Sequence, residues 1–361
     1  MLTKVNIASN HLKVCDFLRP PCPNAGMDLT VYVSQLQNRT FLALAGLALA
    51  LLFDMGRGLA FGHRADPRPL MEKLADMLLY PMAARLNRAG RPDGALTLRG
   101  VMVLALGCMA FFGGVAALLH FAHRYGQGGA ALTLLVALST GTVGWFAPLR
   151  ALSRILSDSR APRPYMVLAR ATYTNMISLD ESGIIRVACT AAIRSLAIRL
   201  AAPLVLFILF GWQVLALYWP VMALALATGQ DGTSRAFAAV TNALATLLLL
   251  VPTLLIFPVV LVALFFSAGS SFFRALPGFF RVTRWPRLLQ GGLPLLVAAY
   301  AMRLALGGPR QDRAGAGIMA PWVGPDRGTA RLESRDIGRV LYLQAVTLLL
   351  TGTILFLLAV V

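Results

Sequence analysis

Residues 238–267 read AAVTNALATLLLLVPTLLIFPVVLVALFFS, thirty positions without one charged side chain. About 20 such residues cross the hydrocarbon core of a bilayer as a helix. A soluble domain has no use for so long an uncharged run, so this stretch decides the class: the chain sits in a membrane. Five further apolar runs accompany it, at 41–53, 101–121, 130–148, 201–227 and 340–361. The first is short, but Val31, Val33 and Leu36 extend it to spanning length. The fold class expected is all-α, a polytopic integral membrane helical bundle of about six spanning helices plus interfacial amphipathic helices. Pro203 and Pro220 interrupt the fourth run, and Pro252 and Pro258 the fifth. Proline removes a backbone donor and kinks a helix, so both runs are expected as broken helices or hairpins.

Composition points the same way. Of 361 residues, 58% are hydrophobic and 13% charged, with a mean hydropathy of +0.70. That leaves too little polar surface for a soluble domain. The net charge of +18 would suggest nucleic acid in a soluble protein. In a membrane protein, Lys and Arg collect instead in cytoplasmic loops facing anionic lipid. The expected partner is therefore the lipid bilayer, with no nucleic acid. Residues 54–100, 149–200 and 268–339 hold 27 of the 33 Lys and Arg. The connections after the second and fourth runs hold only Arg124 and Arg235. Long basic loops alternating with short neutral ones share a side. The positive-inside rule makes that side cytoplasmic and both termini external, in an inner membrane of bacterial type.

The loops have structure of their own. Residues 70–86 and 149–156 carry apolar side chains at helical spacing. In 271–289, Phe272, Phe273, Phe279, Phe280 and Trp285 interleave with Arg274, Arg281, Arg284 and Arg287. That is the composition of a helix in the interface, or of one packed on the bundle. Residues 1–38 read as an N-terminal extension, with Met27 a candidate start, ahead of a membrane domain over 39–361. No apolar core of a secretory signal opens the chain.

Visible chemistry is sparse. There is no P-loop, metalloprotease or nucleophile-elbow pattern. His120 and His123 share a helix face, but two ligands without a third fit an interfacial polar cap better than a metal site. Cys15, Cys22, Cys108 and Cys189 read as free thiols, and no metal is expected. The spanning runs hold almost no ionisable groups, which argues against a proton-coupled transporter. Polar interest gathers at the cytoplasmic edges: Asp54, Arg68-Pro69, Asp180-Glu181 ahead of Arg186, Gly307-Gly308, and Trp322-Val323-Gly324 leading to Arg327 and Asp336. Paired glycines permit close backbone approach, and an Asp/Arg set can hold phosphate or amide groups. The same residues also suit turns and caps, with Ser334 a candidate cap of the last helix.

In chain order, these landmarks form a recognisable series. An apolar run ends in Asp54. Arg68-Pro69 stands at a His-Pro position. A helix ends in Arg85-Leu86-Asn87, then Arg99-Gly100 follows. Leu179-Asp180-Glu181 with Ile184 and Arg186 precedes Ala202-Pro203. Leu306-Gly307-Gly308-Pro309, Pro321-Trp322-Val323-Gly324, Arg327 and Asp336-Ile337 close it. The series resembles the CobD/CbiB family of cobalamin-biosynthesis membrane proteins, over about residues 44–343. The resemblance implies an ATP-dependent amide ligase that joins aminopropanol, or its phosphate, to adenosylcobyric acid. It implies catalytic roles for Asp54, Asp180, Glu181 and Asp336. Substrate would fall to Arg68, Arg186, Gly307, Gly308, Trp322, Gly324 and Arg327.

The departures are concentrated in the acids. Between Leu-Asp-Glu and Ala-Pro the family places glutamates, an asparagine and an aspartate; here stand Thr190, Arg194, Ser195, Ile198 and Arg199. The family's Asp-Thr-Ser becomes Asn175, Met176 and Ile177. Its later Asn-Thr-Leu-Asp and Arg-Leu-Asp-Asp become residues 222–225 and 243–246, all aliphatic but Thr246. Aliphatic side chains neither coordinate Mg²⁺ nor move protons. The expectation is a CobD/CbiB-like protein with degenerate catalytic motifs, no cofactor evident, and ATP and Mg only where the activity survives. The alternative is a non-catalytic scaffold or AmpE-like signalling relative. Either takes a corrinoid or another membrane protein as partner.

Overall fold

The computed structural model describes residues 29–88, 90–155, 164–177, 179–228, 235–267, 273, 286–313, 315 and 317–360. Unbroken apolar runs without polar neighbours become helices, because only internal hydrogen bonds satisfy a backbone in lipid. With shorter helices that carry charge, the described elements are α1 Leu29–Phe61, α2 Leu70–Leu86, α3 Asp93–Arg124, α4 Gly128–Ser139, α5 Phe146–Ile155 and α6 Tyr165–Thr172. Then come α7 Glu181–Ser195, a π-helical segment Leu196–Ala201, α8 Ala202–Phe210, α9 Trp212–Thr228, α10 Ala239–Phe266, α11 Gly292–Met302 and α12 Ser334–Val360. Two small antiparallel sheets pair β1 Leu306–Gly307 with β4 Trp322–Val323, and β2 Arg310–Gln311 with β3 Gly317–Ile318.

Among the described residues, five stretches are long and apolar enough to cross a membrane: Tyr32–Arg64, Asp93–Arg124, Glu181–Phe210, Ala239–Phe266 and Ser334–Val360. The chain is an all-α helical membrane bundle. The expected count of about six falls to five because the third run does not cross as one helix. Its helix α4 has 12 residues, about 18 Å at 1.5 Å per residue against a core of ~30 Å. The chain then runs non-helically through 140–145, where the Gly141 N–H donates to the Arg199 carbonyl at 2.8 Å. At Gly144, a Cβ would press on the Pro67 backbone.

The prolines behave differently from expectation. The fifth run is one continuous helix through Pro252 and Pro258. The fourth breaks at Gly211, whose φ of +82° suits glycine, while Pro203 lies inside a continuous helical stretch, directly after the π-helical segment where the hydrogen-bond ladder is already loosened. Arg39 of α1 reaches across and donates to the Leu209 carbonyl at 3.2 Å, covering the end of α8.

The largest correction concerns the loops. Glu181–Phe210 forms one rod through α7, the π-helical segment and α8, with 78% of its apolar window buried, far more than any other span. Arg186, Arg194 and Arg199 therefore belong to a buried helix and not to a loop. The stretch 70–86 is the expected helix α2, but it is packed into the bundle: Leu79 fills the space over Gly107, near the middle of the 32-residue α3. The Thr97 hydroxyl donates to the Ala236 carbonyl at 3.0 Å. The connection before α10 thus lies at the same end as the start of α3, not across the membrane from it. The segment 271–289 falls largely outside the described residues, as do Cys15 and Cys22; Cys108 and Cys189 are free thiols.

Two apolar cores result. One gathers Trp145, α7, α11 and α12. The other gathers α2, Tyr218, Trp219 and Phe237. Outside them, Leu59, Met77, Leu247 and Phe265 stand exposed, as expected of a lipid-facing surface.

Candidate functional site

Helix α2 buries Glu72, Ala75, Asp76, Leu79 and Ala83. These positions share one face, so two carboxylates fall on the apolar stripe. Glu72 is fully buried and meets Arg199 of the π-helical segment: Nε donates to Oε2 at 2.7 Å and Nη2 to Oε1 at 2.6 Å. Arg199 Nη2 also donates to the Ala171 carbonyl at 3.0 Å, and the Tyr173 hydroxyl donates to Glu72 Oε1 at 3.1 Å. This is the two-pronged Arg–carboxylate geometry that makes a buried pair tolerable. Burial, reinforced by Glu72 and Asp76, pushes the Tyr173 phenol well above its ordinary range, so it stays a neutral donor. Tyr173 adopts φ +58°, the left-handed turn that ends α6.

Asp76, one turn on, sits between two guanidiniums. Arg68 Nη1 donates to it at 2.7 Å and Arg313 Nη2 at 3.0 Å. Arg68 is also forked onto Asp66, Nη2 to Oδ2 at 2.9 Å. Burial raises the Asp66 carboxyl, but its bonds to Arg68 outweigh this and hold it below the usual range. Arg313 lies 4.4 Å from the Tyr173 ring centroid and 5.1 Å from that of Tyr80, a cation–π clamp. The β2–β3 hairpin is thereby pinned to the membrane helices.

A second part of the site lies along α7. Arg186, Thr190 and Arg194 recur every four residues and share a face. The Thr190 hydroxyl donates to the Arg186 carbonyl at 2.7 Å and accepts the Gly307 N–H at 3.1 Å. Gly307 and Gly308, at φ +75° and +77°, turn the chain from β1 to β2. A Cβ at Gly308 would meet the Trp322 ring, and one at Gly324 would strike the Leu304 carbonyl. Trp322 in turn lies under Arg186, 4.6 Å from guanidinium carbon to ring centroid.

Of the residues expected to hold substrate, Arg68, Arg186, Gly307, Gly308, Trp322 and Gly324 therefore gather around α7 and the hairpins. Arg327 does not; it is exposed and makes no ion pair among the described residues. The four acids do not gather. Asp54 is buried, pairs with Arg57, and accepts the Thr142 N–H at 2.8 Å and hydroxyl at 2.9 Å. Asp180 caps α7, taking the Gly183 N–H at 3.0 Å, and the Ser182 hydroxyl and that N–H hold its carboxyl low. Glu181 is exposed in the first turn of α7. Asp336, in the first turn of α12, accepts the Glu333 N–H at 3.0 Å and pairs with Arg339, while the hydroxyl of Ser334, the expected cap, donates to the Ser153 carbonyl.

These acids do not fit a magnesium site, since hard-cation sites need converging, unspent oxygens. Among the described residues no group of three or more His, Cys, Asp or Glu stands together. A cavity of about 550 Å³ opens beside Asn242, Ala243 and Thr246, facing 286–290. That is where the resemblance places further acids, yet the described lining carries no carboxylate.

Sequence reasoning missed Glu72, Asp76, Tyr173, Arg194, Arg199 and Arg313. The signal was present for the first two: charge falling on the apolar side of a helical period. Asp54→Ala is expected to lower stability by about 2–3 kcal/mol, because Arg57 and the Thr142 N–H lose their acceptor. Asp54→Asn keeps an acceptor and loses less; thermal unfolding in detergent measures both.

No protein-family model matches the chain, and neither a curated protein nor a solved structure matches it.

Proposed function

We propose that the chain is a non-catalytic integral membrane protein of the CobD/CbiB type. It works as a membrane-embedded scaffold or binding component and not as an amide ligase. One observation carries the reading: every acid that the ligase would need is tied to a guanidinium or a helix cap, or stands exposed and alone. A general base needs a free carboxylate within hydrogen-bond reach of the amine, and Mg-ATP needs several oxygens at one point. The interior holds arginines instead. Such a component belongs in a bacterial inner membrane, with the basic connections between spans in the cytosol, and serves a corrinoid or a partner membrane protein.

Expression in a strain lacking the synthase tests this, with growth on cobyric acid as the readout. No rescue is expected although the protein is present in the membrane fraction. Rescue would overturn the proposal and restore the ligase.

A further inference from the structure

The cavity of about 550 Å³ at the start of α10 has two unlike walls. One is the first two turns of α10, where Asn242, Ala243 and Thr246 share a face. The other is Arg287 with the 3₁₀ turn Leu288–Gln290. That turn is fixed from inside, since the Gln290 and Gly292 N–H groups both donate to the Arg287 carbonyl, at 2.8 and 3.2 Å. The walls meet deeper along α10, where a Cβ on Gly292 would lie 3.2 Å from the Thr253 methyl. Arg287 is exposed, and its guanidinium has no hydrogen bond or ion pair among the described residues. The buried Gln290 Oε1 has no hydrogen-bond partner there either. The described lining holds no carboxylate.

Depth and surroundings say what enters it. Helix α10 has 28 residues, about 42 Å at 1.5 Å per residue, against a core of ~30 Å. Roughly four residues at each end therefore stand among headgroups. Asn242 is the fourth residue of α10 and Thr246 the eighth, so the cavity straddles the boundary between headgroups and acyl chains. Leu247 follows Ala243 at four residues, Leu250 follows Thr246, and Leu254 follows Leu250; all three leucines are exposed. A polar recess with an unspent cation thus opens onto an apolar track. We propose that this cavity binds one anionic phospholipid, with its phosphate on Arg287 and an acyl chain along Leu247, Leu250 and Leu254. The Asn242 and Gln290 amides face the glycerol and its ester oxygens, and a headgroup hydroxyl supplies the donor that Gln290 Oε1 lacks. The volume is that of a small-molecule site, about 300–1,000 Å³: it takes a headgroup and leaves the tails to the track. A zwitterionic headgroup brings an amine that no carboxylate of the described lining receives. The site does not depend on the family reading, because lipid binding and failed complementation are separate measurements.

The experiment is thermal unfolding of the full chain in detergent, titrated with phosphatidylglycerol, with phosphatidylcholine of the same acyl chains, or with glycerol 3-phosphate. Phosphatidylglycerol is expected to raise Tm at concentrations about 10-fold or more below those that phosphatidylcholine needs, the worth of one charge-assisted contact. Arg287→Gln should remove that preference. Ala243→Phe fills the recess, leaves Arg287 in place and should weaken the response to both lipids. Both positions are exposed, so both variants should melt with wild type when no lipid is added. Arg331→Gln, at an exposed arginine outside the cavity, should keep the full response. The proposal is overturned by an equal response to the two lipids, by a preference that survives Arg287→Gln or that Arg331→Gln also removes, or by a response unchanged in Ala243→Phe. A rise with glycerol 3-phosphate equal to that with lipid would mean a soluble anion and overturns it too, as does no rise with any probe.

Discussion

Glu72→Ala is expected to lose about 3–5 kcal/mol of stability, the range for breaking one side of a buried ion pair. The argument is one of asymmetry. With both partners present, two hydrogen bonds at 2.7 and 2.6 Å offset the removal of both charges from water. With Glu72 gone, Arg199 stays inside with no counter-charge, holding one hydrogen-bond acceptor, the Ala171 carbonyl, and the Trp145 ring. Tyr173 loses its acceptor too. Replacing both partners removes the unpaired charge, so Glu72→Met with Arg199→Met should recover most of the loss. Unfolding by heat or by SDS in mixed micelles reads all three variants. A Glu72→Ala protein that melts with wild type would mean that Glu72 is not enclosed.

Gly100→Ala and Gly107→Ala make the same change on the same helix and are expected to differ by about 2 kcal/mol or more. A Cβ at Gly100 would strike the Phe237 carbonyl, which belongs to backbone. The start of α3 must then move from the segment before α10, and the Thr97–Ala236 hydrogen bond goes with it. At Gly107 the neighbour is the Leu79 Cδ2, 2.6 Å away, the far end of a side chain that can rotate. Alanine also gains about 0.5–1 kcal/mol over glycine inside a helix. Gly107→Ala should therefore stay within about 1 kcal/mol of wild type, while Gly100→Ala loses about 2–3. Equal effects would show that the two contacts are equally soft.

Fold class was legible in the sequence because it rests on length and charge alone. Residues 238–267 can only be a membrane helix, and they are one. The extent of 70–86 was legible for a similar reason: its apolar spacing is helical from end to end. Its depth was not. Four charged residues in that stretch read as loop chemistry, and only the packing of Leu79 on Gly107 shows that the helix enters the bundle. The stretch around Cys189 read as helix, but the same error put its arginines, Arg186 and Arg194 of α7 and Arg199 of the π-helical segment, with a basic loop. Arg186 and Arg194 share a face of α7, whose other positions are largely Ile, Val, Ala and Cys, so tertiary burial overruled composition. The glycine turns and Trp322 were found because close approach demands small residues. Arg313 could not be found, since its partner Asp76 lies 237 residues earlier and nothing local marks the contact.

The Glu72–Arg199 pair, separated by 127 residues, also sets an order of events at the translocon. Synthesis at about 5–20 residues per second delivers Glu72 roughly 6–25 s before Arg199. During that interval α2 carries an unmatched carboxylate, so it cannot settle among the apolar helices already made. When the rod arrives, each of its arginines costs about 2.5–3.5 kcal/mol to place at the bilayer centre alone. Each element is thus a poor guest in lipid until the other appears. The early helices must wait at the lateral gate or the surface, and the bundle closes only when its middle third has been made.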